Sequence, residues 1–165
     1  MASRYADLER LYCEHRQQLF TCAVATTRSA ALAEDAVHDA FCNVLRQNQP
    51  SGNLKAYVYR AVRNAAIDHA RRNAGRDLPL PDFIFDPQAQ PAQSAEDAEF
   101  RQCVAESLLQ LSADERETVV QHLYGELTFQ EIASIRDAPL GTVVSWYRRG
   151  LEKLRTRLEV PDGSL

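Results

Sequence analysis

The chain has 165 residues, 25% of them charged and 45% hydrophobic, and a formal net charge of −4 at pH 7. That length holds one ordinary domain or two small helical ones, and the composition is that of a soluble globular protein with nothing to suggest a membrane. The opening MASRYADLERLYCEH scatters charges through its first turns and has no apolar run of signal-peptide length, which predicts a cytoplasmic protein. In chain order, Leu8, Leu11, Tyr12, His15 and Leu19 mark a first amphipathic helix continuing toward Ala23, with a break near Thr26 to Ser29. Val37, Ala40, Phe41, Val44 and Leu45 repeat at i, i+3, i+4, i+7 and i+8 in a second helix, whose start is expected at Glu34-Asp35, where the acids would complement its dipole. The turn cluster Gln49 to Asn53 stops it. A third helix then runs from Leu54 to Arg72 with Val58, Ala61, Val62, Ala65 and His69 as its expected core stripe.

From Asp77 to Ser94, four prolines fall among Gln, Asp and Ala with no sustained periodicity, which reads as a linker whose Phe83-Ile84-Phe85 cluster docks on a neighbouring module. Beyond it, Phe100, Cys103, Val104, Ser107, Leu108 and Leu111 give a 3.6 period. Ser112 and Glu115 form a capping box for a helix carrying Val119, Val120, Leu123 and Tyr124, which Gly125 ends. The expected organisation is therefore all-α: two small helical domains, residues 1–76 and 95–165, joined by a flexible, Pro-rich acidic linker at 77–94.

The last segment, from Leu127 to Arg157, has the pattern of a helix-turn-helix. Thr128 and Glu131 form another capping box, Asp137-Ala138-Pro139 ends the first helix, and Gly141-Thr142 starts a second. Val143, Tyr147, Gly150 and Leu154 fall on one stripe of that second helix. The outer face is left with Val144, Ser145, Arg148, Arg149 and Glu152, followed by Lys153, Arg155 and Arg157, a surface that suits a major groove. Asp137 stands where such corners commonly have Gly, and Asp tolerates a left-handed backbone better than most residues.

Charge segregates along the chain. Lys55, Arg60, Arg63, Arg71, Arg72 and Arg76 oppose only Asp68 in the middle, the C-terminal helix is basic again, and an acidic stretch lies between. Local patches set the electrostatic footprint, so the negative total does not exclude nucleic acid. On the third helix Arg60, Asn64, Asp68 and Arg71 lie at successive turns, near Lys55, Tyr57, Tyr59, Arg63 and Arg72. Rings interleaved with Arg and Asn suit a single strand, where bases stack and phosphates meet cations. The alternative for the same residues is an Asp68–Arg72 ion pair on a solvated face, with Tyr57 in the core. Cys13, Cys22, Cys42 and Cys103 contain no Cys-x-x-Cys pair and read as buried thiols in a reducing compartment, so neither a metal site nor a cofactor is expected.

In order and spacing, LAEDAVHDAFCNVLRQ, LKAYVYRAVRNAAIDHARR, the Pro-rich linker and LSADERETVVQHLYGELTFQEIASIRDAPLGTVVSWYRRGLEKLR resemble regions two and four of bacterial sigma factors of the extracytoplasmic-function group. The resemblance spans nearly the whole chain, and it is the pairing of the two blocks that is specific. It implies that Asp35, Asp39, Val44 and Arg46 face core RNA polymerase. It implies that Asn64 helps hold a base flipped from the non-template strand of the promoter's −10 element, supported by Lys55, Tyr57, Arg60, Arg63, Arg71 and Arg72. It implies that Thr142, Val144, Ser145, Arg148 and Arg149 read the −35 element, and that an anti-sigma factor holds the protein inactive. The family often has basic residues where Val144 and Trp146 stand here, so this −35 surface is less cationic than usual. Two other functions stay open on the residues alone. One is a free-standing helix-turn-helix regulator. The other is a small helical enzyme using Cys13, Cys42 and His15, His38, His69 and His122, for which the sequence offers no nucleophile–base pair and no phosphate loop.

Overall fold

The computed structural model describes residues 2–47, 52–76 and 93–158, and those residues form seven helices and no strand: α1 (Ala2–Thr27), α2 (Ala30–Arg46), α3 (Leu54–Arg72), α4 (Ala95–Leu109), α5 (Ala113–Leu123), α6 (Phe129–Arg136) and α7 (Leu140–Leu158). The all-α expectation holds. Most of the linker, including Phe83-Ile84-Phe85, and Gln49 to Ser51 of the first turn cluster lie outside the described residues.

Helices α1, α2 and α3 form one bundle. Leu8, Leu11, Leu19 and Ala23 bury the face of α1 that the periodicity marks. The helix runs on to Thr27, where Arg28 turns left-handed at φ 58° and Ser29 caps α2 by accepting from the Leu32 N–H. Because α2 starts at Ala30, Glu34 and Asp35 fall in its second turn, not at the N-terminus where they were expected to meet the dipole. Its buried stripe is Ala33, Ala36, Val37, Ala40 and Val44. Three alanines let α2 approach its neighbours closely, and the stripe so placed turns Leu45 outward to 40% exposure, against the expectation that it is core.

Asn53 caps α3, accepting from the Ala56 N–H, and the helix has the bounds expected of it. Its buried set is Val58, Tyr59, Val62 and Ala66, rotated from the expected stripe. Ala61, Ala65 and His69 are half-buried, and His69 Nε2 lies 2.8 Å from Asp39 Oδ2 on α2.

Helices α4 to α7 form the second module. Both expected capping boxes are present, at Ser112/Glu115 and at Thr128/Glu131. Asp137 takes the left-handed position at φ 50°, where its N–H and that of Ala138 reach back to the carbonyls of Ser134 and Ala133. The corner thus closes without glycine. On α7, Val143, Gly150 and Leu154 are buried as expected, with Tyr147 half-buried beside Phe129 and His122. Gly150 matters sterically: a Cβ there would meet Val119 Cγ2 at 2.7 Å, so α5 and α7 are in near backbone contact. Three expected core residues of this module are instead exposed, namely Phe100 at 62%, Leu123 at 51% and Cys103. Cys13 is exposed too, which leaves Cys22 alone fully buried among the four thiols.

The modules pack on one another, α1 against α5 and α3 against α6. Arg116 on α5 donates from Nε to the Ala25 carbonyl of α1 at 2.7 Å and from Nη1 to the Leu111 carbonyl at 3.1 Å. A Cβ on Gly125 would stand 2.9 Å from Cys22 Sγ of α1. Nothing in the hydropathy pattern anticipates this contact, because it is built from charged and small residues.

Candidate nucleic-acid interface

Two surfaces gather the residues singled out above. The first lies between α2 and α3. A polar groove of about 320 Å³ is lined by Tyr57, Arg60, Asn64, Asp68 and Arg72 from α3 and by Asp39, Asn43 and Gln47 from α2. It forms because every fourth residue on this side of α3 is polar, while Ala61 and Ala65 between them are too small to fill the crease. Tyr57 donates its hydroxyl to Gln47 Oε1 at 2.6 Å, which fixes the hydroxyl at the rim while the ring packs half-buried against the core. Arg72 Nε reaches the backbone carbonyl of Asp68 at 3.4 Å, and Asn64 is exposed. A groove of this size with a ring, an amide and the Arg72 guanidinium at its edge can hold an unstacked base and its phosphate.

Of the seven α3 candidates, Tyr57, Arg60, Asn64 and Arg72 share that groove. Arg71 is exposed. Lys55 and Arg63 point to the second module instead, as does the guanidinium of Arg60. Lys55 Nζ lies 3.6 Å from Glu131 Oε1, Arg63 Nε lies 2.8 Å from Glu117 Oε2, and Arg60 donates to the Ser134 carbonyl. Tyr59, grouped with this face in the sequence, is 2% exposed. Burial first, then the field of Cys22, Glu131 and Glu126, pushes its phenol well above the ordinary value.

The second surface is the outer side of α7. Ser145, Arg148 and Arg149 are exposed, and Thr142 and Val144 half-buried beside them. Ser145 donates its hydroxyl to the Gly141 carbonyl at 2.9 Å, and Arg149 Nε stands 3.6 Å from Glu115 while 58% of its side chain stays in solvent. Lys153 pairs with Glu115 at 2.8 Å. Burial raises the Glu115 pKa, but hydrogen bonds from Lys153 and the Ser112 N–H outweigh it and hold the carboxyl below its ordinary value. Trp146 turns inward, and the Arg136 guanidinium lies 4.8 Å over its ring. Arg136 is 2% exposed in its side chain, bonds Asp114 and Thr118, and so ties α5, α6 and α7 together.

On α2, Asp35 and Arg46 are exposed and Asp39 is half-buried against His69. Val44 does not belong with them. It is 2% exposed in the bundle core, because it continues the Ala36–Ala40 stripe, and it cannot present its side chain to a partner. The groove residues Asn43 and Gln47 were not singled out from the sequence. They lie at the end of α2, where polarity reads as the approach to a turn, and only the α2–α3 crossing gives them a role. Among the described residues no group of three or more His, Cys, Asp or Glu side chains is placed to hold a metal ion, and no helix is long and apolar enough to cross a membrane.

A family model described as sigma-70 region 2 matches residues 11–76, and one described as sigma-70, region 4 matches residues 101–154. The ECF RNA polymerase sigma factor SigL of Mycobacterium tuberculosis is 28% identical, over 96% of this chain and 92% of its own. The RNA polymerase sigma factor CarQ of Myxococcus xanthus is 28% identical, over 91% of this chain and 88% of its own. Among solved structures, the sigma factor RpoE of Bartonella quintana, in its complex with the anti-sigma factor NepR, superposes with a TM-score of 0.70 at 22% identity, over 94% of this chain and 99% of that one. With both regions present in order on an all-helical fold, the chain belongs to the extracytoplasmic-function group of the sigma-70 family of RNA polymerase sigma factors.

Proposed function

We propose that core RNA polymerase delivers this chain to promoters, where the α2–α3 groove takes a base from the melted −10 strand and the outer face of α7 reads the −35 element. The observation that carries the reading is the groove itself, which joins Tyr57, Arg60, Asn64 and Arg72 with Asn43 and Gln47 in one polar crease. Asn64 holds the base edge, Tyr57 offers a ring, and the arginines meet phosphates; Lys55, Arg63 and Arg71 extend the cationic track. On α7, Arg148 and Arg149 suit guanine edges or phosphates, Ser145 and Thr142 offer hydroxyls, and Val144 suits a thymine methyl. Asp35, Asp39 and Arg46 form the polymerase-facing side of α2. The working division of the chain is a −10 module at 1–76, a connector at 77–94 and a −35 module at 95–165. The protein acts in the cytoplasm and carries out no covalent chemistry of its own. The solved neighbour is a sigma factor held by an anti-sigma factor, and an anti-sigma partner is the expected regulator here.

Each module alone binds weakly, and linking both through polymerase raises their effective concentration and makes recognition depend on spacing. Gel filtration with core polymerase lacking its own sigma factor, followed by transcription from a pool of promoter fragments, tests the reading. Comigration with promoter-dependent transcripts is the expected result, and Asn64→Ala should then impair promoter melting while leaving polymerase binding intact. Fragment binding by the chain alone, without comigration, would favour a free-standing regulator.

A further inference from the structure

Among the cysteines and histidines weighed above for chemistry, two come together in the fold. Cys42 Sγ lies 3.6 Å from His38 Nε2, one turn apart on α2, so an imidazole nitrogen stands within hydrogen-bond reach of a thiol. The pair lines a cavity of about 770 Å³ between α1 and α2, with Leu8, Tyr12, Phe20, Phe41 and Leu45 among its walls. The Tyr12 and Phe41 rings meet edge to face with centroids 4.9 Å apart, and Leu45 keeps 40% of its surface in solvent, so the hollow is reachable from outside. An apolar hollow holding a nucleophile beside a base fits a small apolar molecule that a thiol can attack. We infer that Cys42, with His38 as its base, is a covalent site for apolar α,β-unsaturated carbonyl compounds.

The step balances without an oxidant or a reductant. The thiol proton passes to His38 Nε2 as the sulfur–carbon bond forms at the β carbon, and the alkene π pair moves to the α carbon as an enolate. The imidazolium then returns the proton to that carbon, which leaves a thioether and a neutral imidazole. Arg16 also lines the cavity, its guanidinium 5.8 Å from the centroid of the Tyr12 ring, and supplies a cation for the enolate oxygen. Cys42 is half-buried, so an apolar reagent gains the burial of its chain where a polar one gains nothing. The exposed thiols Cys13 and Cys103 do not line the cavity. An adduct on Cys42 also stands one turn from Arg46 and two turns from Asp35, on the side of α2 proposed above to face polymerase; this consequence alone rests on that reading.

N-hexylmaleimide and N-methylmaleimide carry the same reactive alkene and differ only in the apolar chain, and mass spectrometry of tryptic peptides reads each cysteine of the full-length protein separately. At pH 7, Cys42 should favour the hexyl reagent over the methyl one about tenfold or more, with no such preference at Cys13 and Cys103. Leu45→Ser should lower that preference and leave the methyl rate unchanged. His38→Gln should slow Cys42 about tenfold at pH 7 and much less at pH 9, where hydroxide takes the proton, with Cys13 and Cys103 as controls for folding. The other titratable or charged groups facing the pair are Tyr5, Glu9, Tyr12 and Arg16 on α1 and Glu34 on α2, kinds that ordinarily titrate outside pH 7 to 9. Equal preference for the hexyl reagent at all three thiols overturns the cavity as the binding site, and an unchanged Cys42 rate in His38→Gln at pH 7 overturns the base. The hexyl adduct of the parent should lose comigration with core polymerase, while Cys42→Ser treated alike keeps it. If the adduct comigrates, or treated Cys42→Ser is lost as well, the polymerase consequence is overturned and the covalent site stands. If the untreated chain fails to comigrate, the proposed function falls instead, and the thiol rates still decide the site.

Discussion

Helices α3 and α7 carry similar outward patterns, arginines and hydrogen-bonding groups at helical spacing, yet they meet opposite surroundings. On α7 the outer face lies open: Ser145, Arg148 and Arg149 are in solvent, and Glu115 of α5 holds Lys153 more closely than it holds Arg149. On α3 the face is divided. Asn64, Arg71 and Arg72 stay outside, while Lys55, Arg60 and Arg63 turn toward α5 and α6. The difference follows from position in the fold. Helix α7 packs against α4, α5 and α6 of its own module, whereas α3 packs against α1 and α2 of its own module and also meets α6 of the other. A polar helix face shows that no apolar core covers it, but not whether an oppositely charged module does.

The largest expected effect comes from the residue that braces both faces. Arg136 bonds Asp114 and Thr118, stands 3.6 Å from the carboxylate that Arg63 also holds, and supports Trp146 of α7 through its guanidinium plane. Arg136→Ala leaves Glu117 buried with only Arg63 and opens a void under Trp146. Because Arg63 still compensates Glu117, the loss of the buried guanidinium and of its contacts should cost about 1–3 kcal/mol, so urea unfolding should show a lower midpoint and the proposed −35 contact should weaken with it. A midpoint within error of the parent would mean that the two faces do not share this support.

Removing single cations separates the faces further. Arg148→Ala should leave stability unchanged, because the side chain is exposed, and should lower affinity for a −35 fragment in holoenzyme by about 1–3 kcal/mol. Arg63→Ala should do the reverse for the free protein, losing stability through Glu117, whose side chain is 6% exposed. If the two substitutions gave the same stability change, the contrast between an open and a covered face would fail.

Much of this arrangement was legible in the sequence, for identifiable reasons. Capping boxes at Ser112 and Thr128 are local chemistry, so the starts of α5 and α6 could be read directly. The left-handed Asp137 was legible too, since few other residues can close that corner. What failed was long-range. Val44 reads equally well as core or as partner surface until the Ala36–Ala40 stripe fixes the rotation of α2. Phe100, Cys103 and Leu123 keep helical period yet lie outside, because periodicity ranks faces of a helix without showing how many neighbours arrive to cover them. The contact between the modules was invisible because it is made by Glu117, Arg116 and Gly125, residues that ordinarily mark surfaces and turns.

Alkaline pH probes the covered side. Burial, and then the Glu117 carboxylate, push the Cys22 thiol up to about 12. A group raised in the folded state contributes stability that is complete below its unfolded pKa, near 9, and is lost as pH rises toward the folded value. Stability should therefore fall between pH 9 and 12, by about 1.4 kcal/mol at pH 10. Cys22→Ser, whose hydroxyl does not titrate in that range, should flatten the profile between pH 9 and 10, while the Tyr59 phenol, also raised by burial, keeps a slope above pH 10. An unaltered alkaline slope in the variant would assign the loss to other groups.

The smallest effect is expected at the edge of the covered face. Lys55 and Glu131 are 3.6 Å apart with 28% and 27% of their side chains exposed, so a double-mutant cycle with Lys55→Ala and Glu131→Gln should return a coupling of about 0.2–1 kcal/mol. Because more than a quarter of each side chain is in water, the coupling should shrink as salt is raised through the range where the screening length drops below about 10 Å. The corresponding cycle for Lys153 and Glu115, 2.8 Å apart and wholly within the second module, should give a larger value, since Glu115 is 5% exposed and already fixed by its capping box, although Lys153 at 51% exposure keeps some salt dependence. Equal salt dependence in the two cycles would mean that the edge between α3 and α6 is as fixed as the interior of a module.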